Sequence, residues 1–247
     1  MKPTNLKTYL PRAFLLIAIS SIPLKAQAAI TTFSGQDDGA PVSGPFTNSV
    51  AAQTNFLSAA NGFGSVATET FQEFSVGASG TLPIAGGSVT LTTPYGVPFG
   101  GVNSGTTGGN NLYGFPLPGQ TNWLGFADGS AAFNFTAPTN SFGFFTTGVQ
   151  TEFTTDLTIT FNDGASETLH LPINVNGGAS YFGFTDTQPF SSATITDLSN
   201  DAWGVSDVSY NFASTVPEPA TWTMLILGFG VIGGMLRRSR NYEARAI

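Results

Sequence analysis

The stretch "DLTITFNDGASETLHLPI", Asp156 to Ile173, decides the fold class. Its first half sets Leu157, Ile159 and Phe161 on one face of an extended chain, and its second half does the same with Leu169, Leu171 and Ile173. This is the period-two alternation of half-buried strands. The turn decides whether those faces agree. A two-residue turn at Asp163-Gly164 would bring Leu157 opposite His170 and set the apolar faces against each other. A three-residue loop of Asn162, Asp163 and Gly164 brings Leu157 opposite Leu169, with Gly164 in the left-handed position. The core therefore selects the second register, and the segment is an antiparallel hairpin.

Working outward, further strands are expected at "ETFQEF" (Glu69 to Phe74), "SVTLTT" (Ser88 to Thr93), "AAFNFT" (Ala131 to Thr136) and "FGFFTT" (Phe142 to Thr147). Others are expected at "YFGFT" (Tyr181 to Thr185), "SATITDL" (Ser192 to Leu198) and "VSDVSYNF" (Val205 to Phe212). Short strands separated by turn signals predict a mainly β chain, a two-sheet β-sandwich. One segment departs from the pattern. "NSVAAQTNFLSAANG" places Val50, Thr54 and Leu57 at helical spacing behind an Asn48 cap and before an Asn61-Gly62 stop, which predicts a short helix from Ser49 to Ala60. Residues 96 to 119 hold eight glycines and three prolines and read as a long loop.

Charge narrows the function classes. The eight basic residues all fall at the ends: Lys2, Lys7, Arg12 and Lys25 at the front, Arg237, Arg238, Arg240 and Arg245 at the back. The intervening body carries thirteen acids and no fixed positive charge. It cannot neutralise phosphates, so nucleic acid and anionic lipid are excluded as its partners. It also forms no Lys or Arg ion pair, so its fold rests on apolar burial and backbone hydrogen bonds, for which 22 Phe in 247 residues supply material. Cysteine is absent, which removes disulfides, thiolate metal sites and a Cys nucleophile. His170, the single histidine, alternates away from Leu169 and Leu171 and reads as a solvated strand residue. No nucleophile elbow and no phosphate loop occurs in the body, so no enzyme is expected.

The two ends carry address signals. Lys2, Lys7 and Arg12 precede the apolar "AFLLIAIS", and "AQAA" then offers Ala26 and Ala28 as the small pair before a cut. That is the layout of a secretory signal peptide over 1–28, cleaved after Ala28 or one residue later. Residues 29–215 form the exported domain, and 216–247 form a separate tail. In that tail the uncharged run Ala220 to Leu236 approaches the ~20 residues of a spanning helix, and four arginines follow it. By the positive-inside tendency these stay in the cytoplasm and the acidic body lies outside. Pro217 and Pro219 hold the junction extended just outside the membrane.

The succession Pro217, Glu218, Pro219, Trp222, an apolar helix, then Arg237 and Arg238 closely resembles the PEP-CTERM sorting signal of Gram-negative bacteria, in its PEPxxWA form. Thr223 stands where that pattern usually has Ala. The resemblance covers about thirty residues. It implies export, a transient inner-membrane anchor over about 220–236, and cutting near the Pro-Glu-Pro by an exosortase-type membrane protease. The destination it implies is the cell surface or an exopolysaccharide matrix.

The body resembles the β-sandwich often attached to such tails and is similar in plan to jelly-roll, lectin-like carbohydrate-binding modules. The likeness rests on "TETFQEF", "FNFTAPTNSFGFF", "LTITFNDG", "YFGFTDTQPFSSATIT" and "AWGVSDVSY". It implies a structural Ca²⁺ tying the first strand to the last, for which Glu69, Glu73 and Asp207 are the candidates; Ser206 replaces an acid usual in the closing motif. Two functions remain open: a non-catalytic surface or matrix protein, and a module binding neutral glycans. In the second, rings beside the glycine-rich loop, Tyr95, Tyr113, Phe115 and Trp123, stack on sugars; alternatively they fold onto the core.

Overall fold

The computed structural model describes residues 29–96, 99–106, 113–149, 155–161, 166–197, 202–213 and 223–233. The expected signal peptide, 1–28, lies outside them. The order of elements is β1 (Ile30–Asp38), α1 (Thr47–Ala60), β2 (Gly64–Glu69), β3 (Thr81–Ile84), β4 (Gly87–Thr92), β5 (Gly100–Ser104), β6 (Asn122–Phe126), β7 (Gly129–Thr147), β8 (Thr155–Phe161), β9 (Ser166–His170), β10 (Gly178–Asp197) and β11 (Trp203–Ala213). A second helix, α2, covers 223–233. The chain is mainly β and every strand pairing is antiparallel.

Two long strands organise the rest. The expected pairs of short strands at 131–136 and 142–147, and at 181–185 and 192–198, are each one continuous strand, β7 and β10. The chain passes Pro138 and Pro189 through register shifts between Thr185 and Phe190 and between Phe190 and Ser192. Such bulges bend a strand without ending it. The first half of β7 and second half of β10 pair with β4 and β8, extended by β3 and β9. Their other halves pair with β11 and β1, extended by β6, β5 and β2. The two halves fold over one core that holds Val89, Phe133 and Ile195 from one layer and Phe142, Phe184 and Tyr210 from the other. Rings from both layers meet there, Phe133 against Phe142 at 5.0 Å and Phe135 against Tyr210 at 5.1 Å.

The hairpin read first in the sequence has the expected register, with Leu157 opposite Leu169. Its loop, with Gly164, lies outside the described residues. His170 is exposed.

The helix runs from Thr47 to Ala60, but its cap and its face differ from expectation. Asn48 is not the cap. The helix start has no side-chain cap of its own, and the Asp37 carboxylate on β1 takes its place. Asp37 accepts from the Asn48 and Ser49 backbone N–H groups at 3.0 and 2.8 Å and from Ser49 Oγ at 2.6 Å. A carboxylate at this end satisfies orphan donors and suits the helix dipole. The buried face is Ser49, Ala52, Phe56 and Ala60, one position round from the expected Val50, Thr54 and Leu57. The seat explains the choice. Gly183 pairs with Gly143 across β10 and β7, and Phe56 fills the hollow above them. A Cβ on Gly183 would come within 2.7 Å of the Phe56 ring, and one on Gly35 within 2.2 Å of the Asn48 carbonyl oxygen.

Two further expectations change. "ETFQEF" is not a strand: β2 ends at Glu69, whose carboxylate accepts from the Phe71 N–H at 2.6 Å and turns the chain. Phe71 then adopts a positive φ of 61° and is fully buried. The glycine-rich segment is not all loop, since Gly100–Ser104 forms β5 against β6.

Candidate functional site

The aromatic residues nominated beside the glycine-rich segment divide between core and surface. Phe115 is buried under α1, 6.2 Å from Phe46, with its backbone pinned on both sides by Thr147 Oγ1 at 3.0 Å. Trp123 is 2 % exposed, lies over Gly114 and Gly204, and donates from Nε1 to the Gly105 carbonyl at 2.9 Å. Neither presents a ring to a ligand. Tyr95 and Tyr113 do, at 43 % and 42 % exposure.

These two tyrosines stand at the rim of a recess of about 180 Å³ with Phe99, Ala127 and Ala202. Local chemistry fixes the rim. Thr93 Oγ1 ends β4 by donating to the Ala127 carbonyl at 2.7 Å while accepting from the Tyr95 N–H at 3.2 Å. Tyr95 meets Phe99 edge to face at 6.4 Å. Tyr113 is held by the backbone, because Gly148 passes so close that a Cβ there would sit 2.4 Å from the Tyr113 carbonyl carbon. A second, open recess of about 520 Å³ lies where segments 92–94 and 128–130 pass each other. Its floor is hydroxyl-rich, with Thr92, Ser130, Thr194 and Thr196 from three neighbouring strands, and Asp128 and Pro94 stand at its edge. The aromatic rim of one recess offers stacking and the hydroxyls of the other offer hydrogen bonding, neither with a cation. Phe99, Asp128, Thr194 and Thr196 were not singled out from the sequence. The alternation of Thr in "SATITDL" and "SVTLTT" was the available signal, and the register then sets these threonines in one row.

The three acids considered for Ca²⁺ do not converge. Among the described residues, no group of three His, Cys, Asp or Glu side chains is placed to hold a metal ion. Glu69 lies on β2 with its pKa raised by burial; the Phe71 and Thr70 N–H groups oppose that shift and nearby Glu73 adds to it. Asp207 sits across β11, facing α1. Burial raises its pKa and hydrogen bonds from Gln120 and Gln53 partly restore it. Glu69 raises the pKa of Tyr210 and Asp207 that of Tyr181, each second to burial. Tyr210 belongs to the inter-sheet core and Tyr181 to the layer under α1. The two carboxylates thus serve opposite faces of the layer.

The sorting residues Pro217, Glu218, Pro219, Trp222, Arg237 and Arg238 lie outside the described residues. Helix α2, 223–233, is exposed along its length. It measures about 16 Å at ~1.5 Å per residue, and among the described residues no helix is long and apolar enough to cross a membrane.

Comparison with known proteins addresses the tail and the body separately. Residues 215–240 match the family model of the PEP-CTERM protein-sorting motif, so the chain carries that motif. Comparison with curated proteins gives no match. Among solved structures, the K2 cleaved adhesin domain of Lys-gingipain is similar at 12% identity and a TM-score of 0.40, over 60% of this chain and 99% of that one. A mutant of CBM29-2, a family 29 carbohydrate binding module, is similar at 13% and 0.34, over 63% and 99%. The CBM22-1-GH10 modules of Clostridium thermocellum xylanase 10B, complexed with xylohexaose, are similar at 9% and 0.29, over 61% and 29%. At these TM-scores the similarities carry no argument about this chain.

Proposed function

We propose that this is an exported cell-surface or exopolysaccharide-matrix protein without catalytic activity, sorted and cut by an exosortase-type membrane protease. The observation that carries this reading is the sorting motif at 215–240, immediately behind a body with no Lys or Arg. On this reading segment 1–28 directs export and α2 extends to about 220–236 as a transient inner-membrane anchor, with Arg237 and Arg238 on the cytoplasmic side. Replacing Pro217 and Pro219 by Ala leaves the full-length chain in the inner membrane, whereas the wild type reaches the surface fraction shortened. Equal release of both overturns the reading.

A second reading concerns the body, a jelly-roll-like sandwich, and is favoured by one observation: Tyr95 and Tyr113 stay exposed around a recess while their neighbours Trp123 and Phe115 are buried. We infer that this rim binds neutral glycans, because thirteen carboxylates repel anionic polymers and flat rings stack on sugar faces. Tyr95→Ala with Tyr113→Ala abolishes retention on a neutral exopolysaccharide column at an unchanged melting temperature. Retention equal to wild type sinks this reading and leaves the sorting one intact.

A further inference from the structure

A cavity used by neither reading lies between α1 and the layer it covers, with a volume of about 200 Å³. A bulge builds it. Ser206 pairs with Phe145 and Ser209 with Gly143, so β11 carries one residue more than β7 between these pairs. Asp207 takes the left-handed conformation there, with φ 48°, which Asp and Asn tolerate better than other residues with a side chain. The extra residue lets Val205 and Val208 both face the inter-sheet core and directs Asp207 into the cavity.

Asp207 already accepts from Gln120 and Gln53, and other polar atoms nearby are left without a protein partner. Gln120 spends its Nε2 on Asp207, and its buried Oε1 has no protein partner. The hydroxyl of Tyr181, fully buried and close enough to feel the Asp207 charge, has none either, nor has Ser206 Oγ. The Gln120 Oε1 can only accept, the two hydroxyls can accept as well as donate, and the chain offers no Lys or Arg between Lys25 and Arg237 to serve them. The remaining walls are Gln53, which also hydrogen-bonds Asp207, and apolar groups: the Phe46 and Phe145 rings, with Val50, Leu117 and Pro118.

We propose that this cavity binds a primary alkylammonium group. Its N–H donors match the Asp207 carboxylate and the unpartnered Gln120 Oε1 beside it. The rings attract the charge by their faces, and the aliphatic walls take the methylene stem. A neutral alcohol brings one donor and no charge, so it satisfies the site poorly. The same chemistry is offered by a free alkylamine and by a lysine side chain of another protein.

The test is calorimetric titration of the full-length protein in detergent with 1-aminopentane, 1-pentanol and an Nα-acetylated, C-terminally amidated lysine. The amine is expected to bind at least about tenfold more tightly than the alcohol, and Asp207→Asn to weaken amine binding about ten- to a hundredfold, the loss of one charge-assisted hydrogen bond. Asparagine keeps the tolerance for a positive φ, so its melting temperature should not fall. Should that variant misfold, Val50→Trp, at an exposed position on the cavity rim, blocks entry instead. Binding of the lysine derivative points to a partner's side chain, and binding of the free amine alone to a small molecule; either supports the site. No amine binding by the wild type, equal binding of the alcohol, or amine binding undiminished in both variants overturns it.

Discussion

The two faces of the layer formed by β1, β10, β7 and β11 come from the same strands and differ in kind. Towards the other layer, Phe182, Phe184, Phe142, Phe144, Val205 and Val208 close a core of hydrocarbon. Towards α1, the alternate residues include Gly183, Gly143, Ser206, Asp207, Ser209 and Asn211 beside Tyr181 and Phe145. One face is filled by its own side chains. The other is hollowed by glycines for Phe56 and lined with polar groups, several of them buried without a partner. Alternation thus lets one ladder place stability on one side and recognition chemistry on the other.

The largest effect should come from the hydrocarbon face. Phe142 is fully buried and touches the rings of Phe133, Phe135, Phe144 and Phe184. Phe142→Ala should cost about 3–5 kcal/mol, a fall in melting temperature on the order of 10 °C or more. On the helix face, Gly35→Ala forces a Cβ against the backbone of Asn48 and should cost about 1–3 kcal/mol. Thermal melts of both variants test the contrast, and a larger loss for Gly35→Ala would reverse it.

A smaller effect isolates the polar tether of the helix. Asp37→Ala removes the acceptor of two helix N–H groups and of Ser49 Oγ and should cost about 1–2 kcal/mol. Asn48→Ala, at the residue that the sequence marks as the cap, should cost less, because its Nδ2 only donates to the Gln36 carbonyl at 2.9 Å on an exposed surface. If Asn48→Ala proves the more damaging, the capping role assigned to Asp37 is mistaken.

That pair of variants also shows where the sequence was legible. Alternation alone placed the β8–β9 hairpin in its observed register, because a slip by one residue would have set Leu157 opposite His170 and turned the two apolar faces apart. It did not place the cap, because Asp37 is 11 residues from Asn48 in the chain and reaches it only through the fold. The short apolar runs suggested four strands where there are two, since a bend and a break look alike locally. The candidate sites were legible in kind but not in membership. Aromatic residues beside a glycine-rich segment were visible, yet which rings are displayed depends on where Gly114, Gly148 and Gly204 let backbone and indole pack. Asp207 was visible as an acid, but neither its bulge nor its positive φ follows from local pattern.

The smallest effect concerns pH and sharpens the contrast at single carboxylates. Burial raises the pKa of both Asp207 and Glu69. Each therefore binds a proton in the folded state at a pH where the unfolded chain has already lost it. Between the ordinary carboxylate value and the raised one, the native state holds more protons, so stability rises as pH falls through that window and is lost as pH rises through it. Asp207→Asn should flatten this slope and leave the neutral-pH melting temperature unchanged or slightly higher. The new amide can accept from Gln120 Nε2 and donate to the unpartnered Gln120 Oε1. Glu69→Gln should flatten the slope less cleanly, because a neutral amide accepts more weakly from the Phe71 N–H that holds the turn after β2. Melting temperatures measured from the ordinary carboxylate pKa to neutrality decide the matter. A slope in Asp207→Asn equal to that of the wild type would mean that its carboxylate is as well solvated in the folded chain as in the unfolded one, and that the face under α1 carries no buried charge.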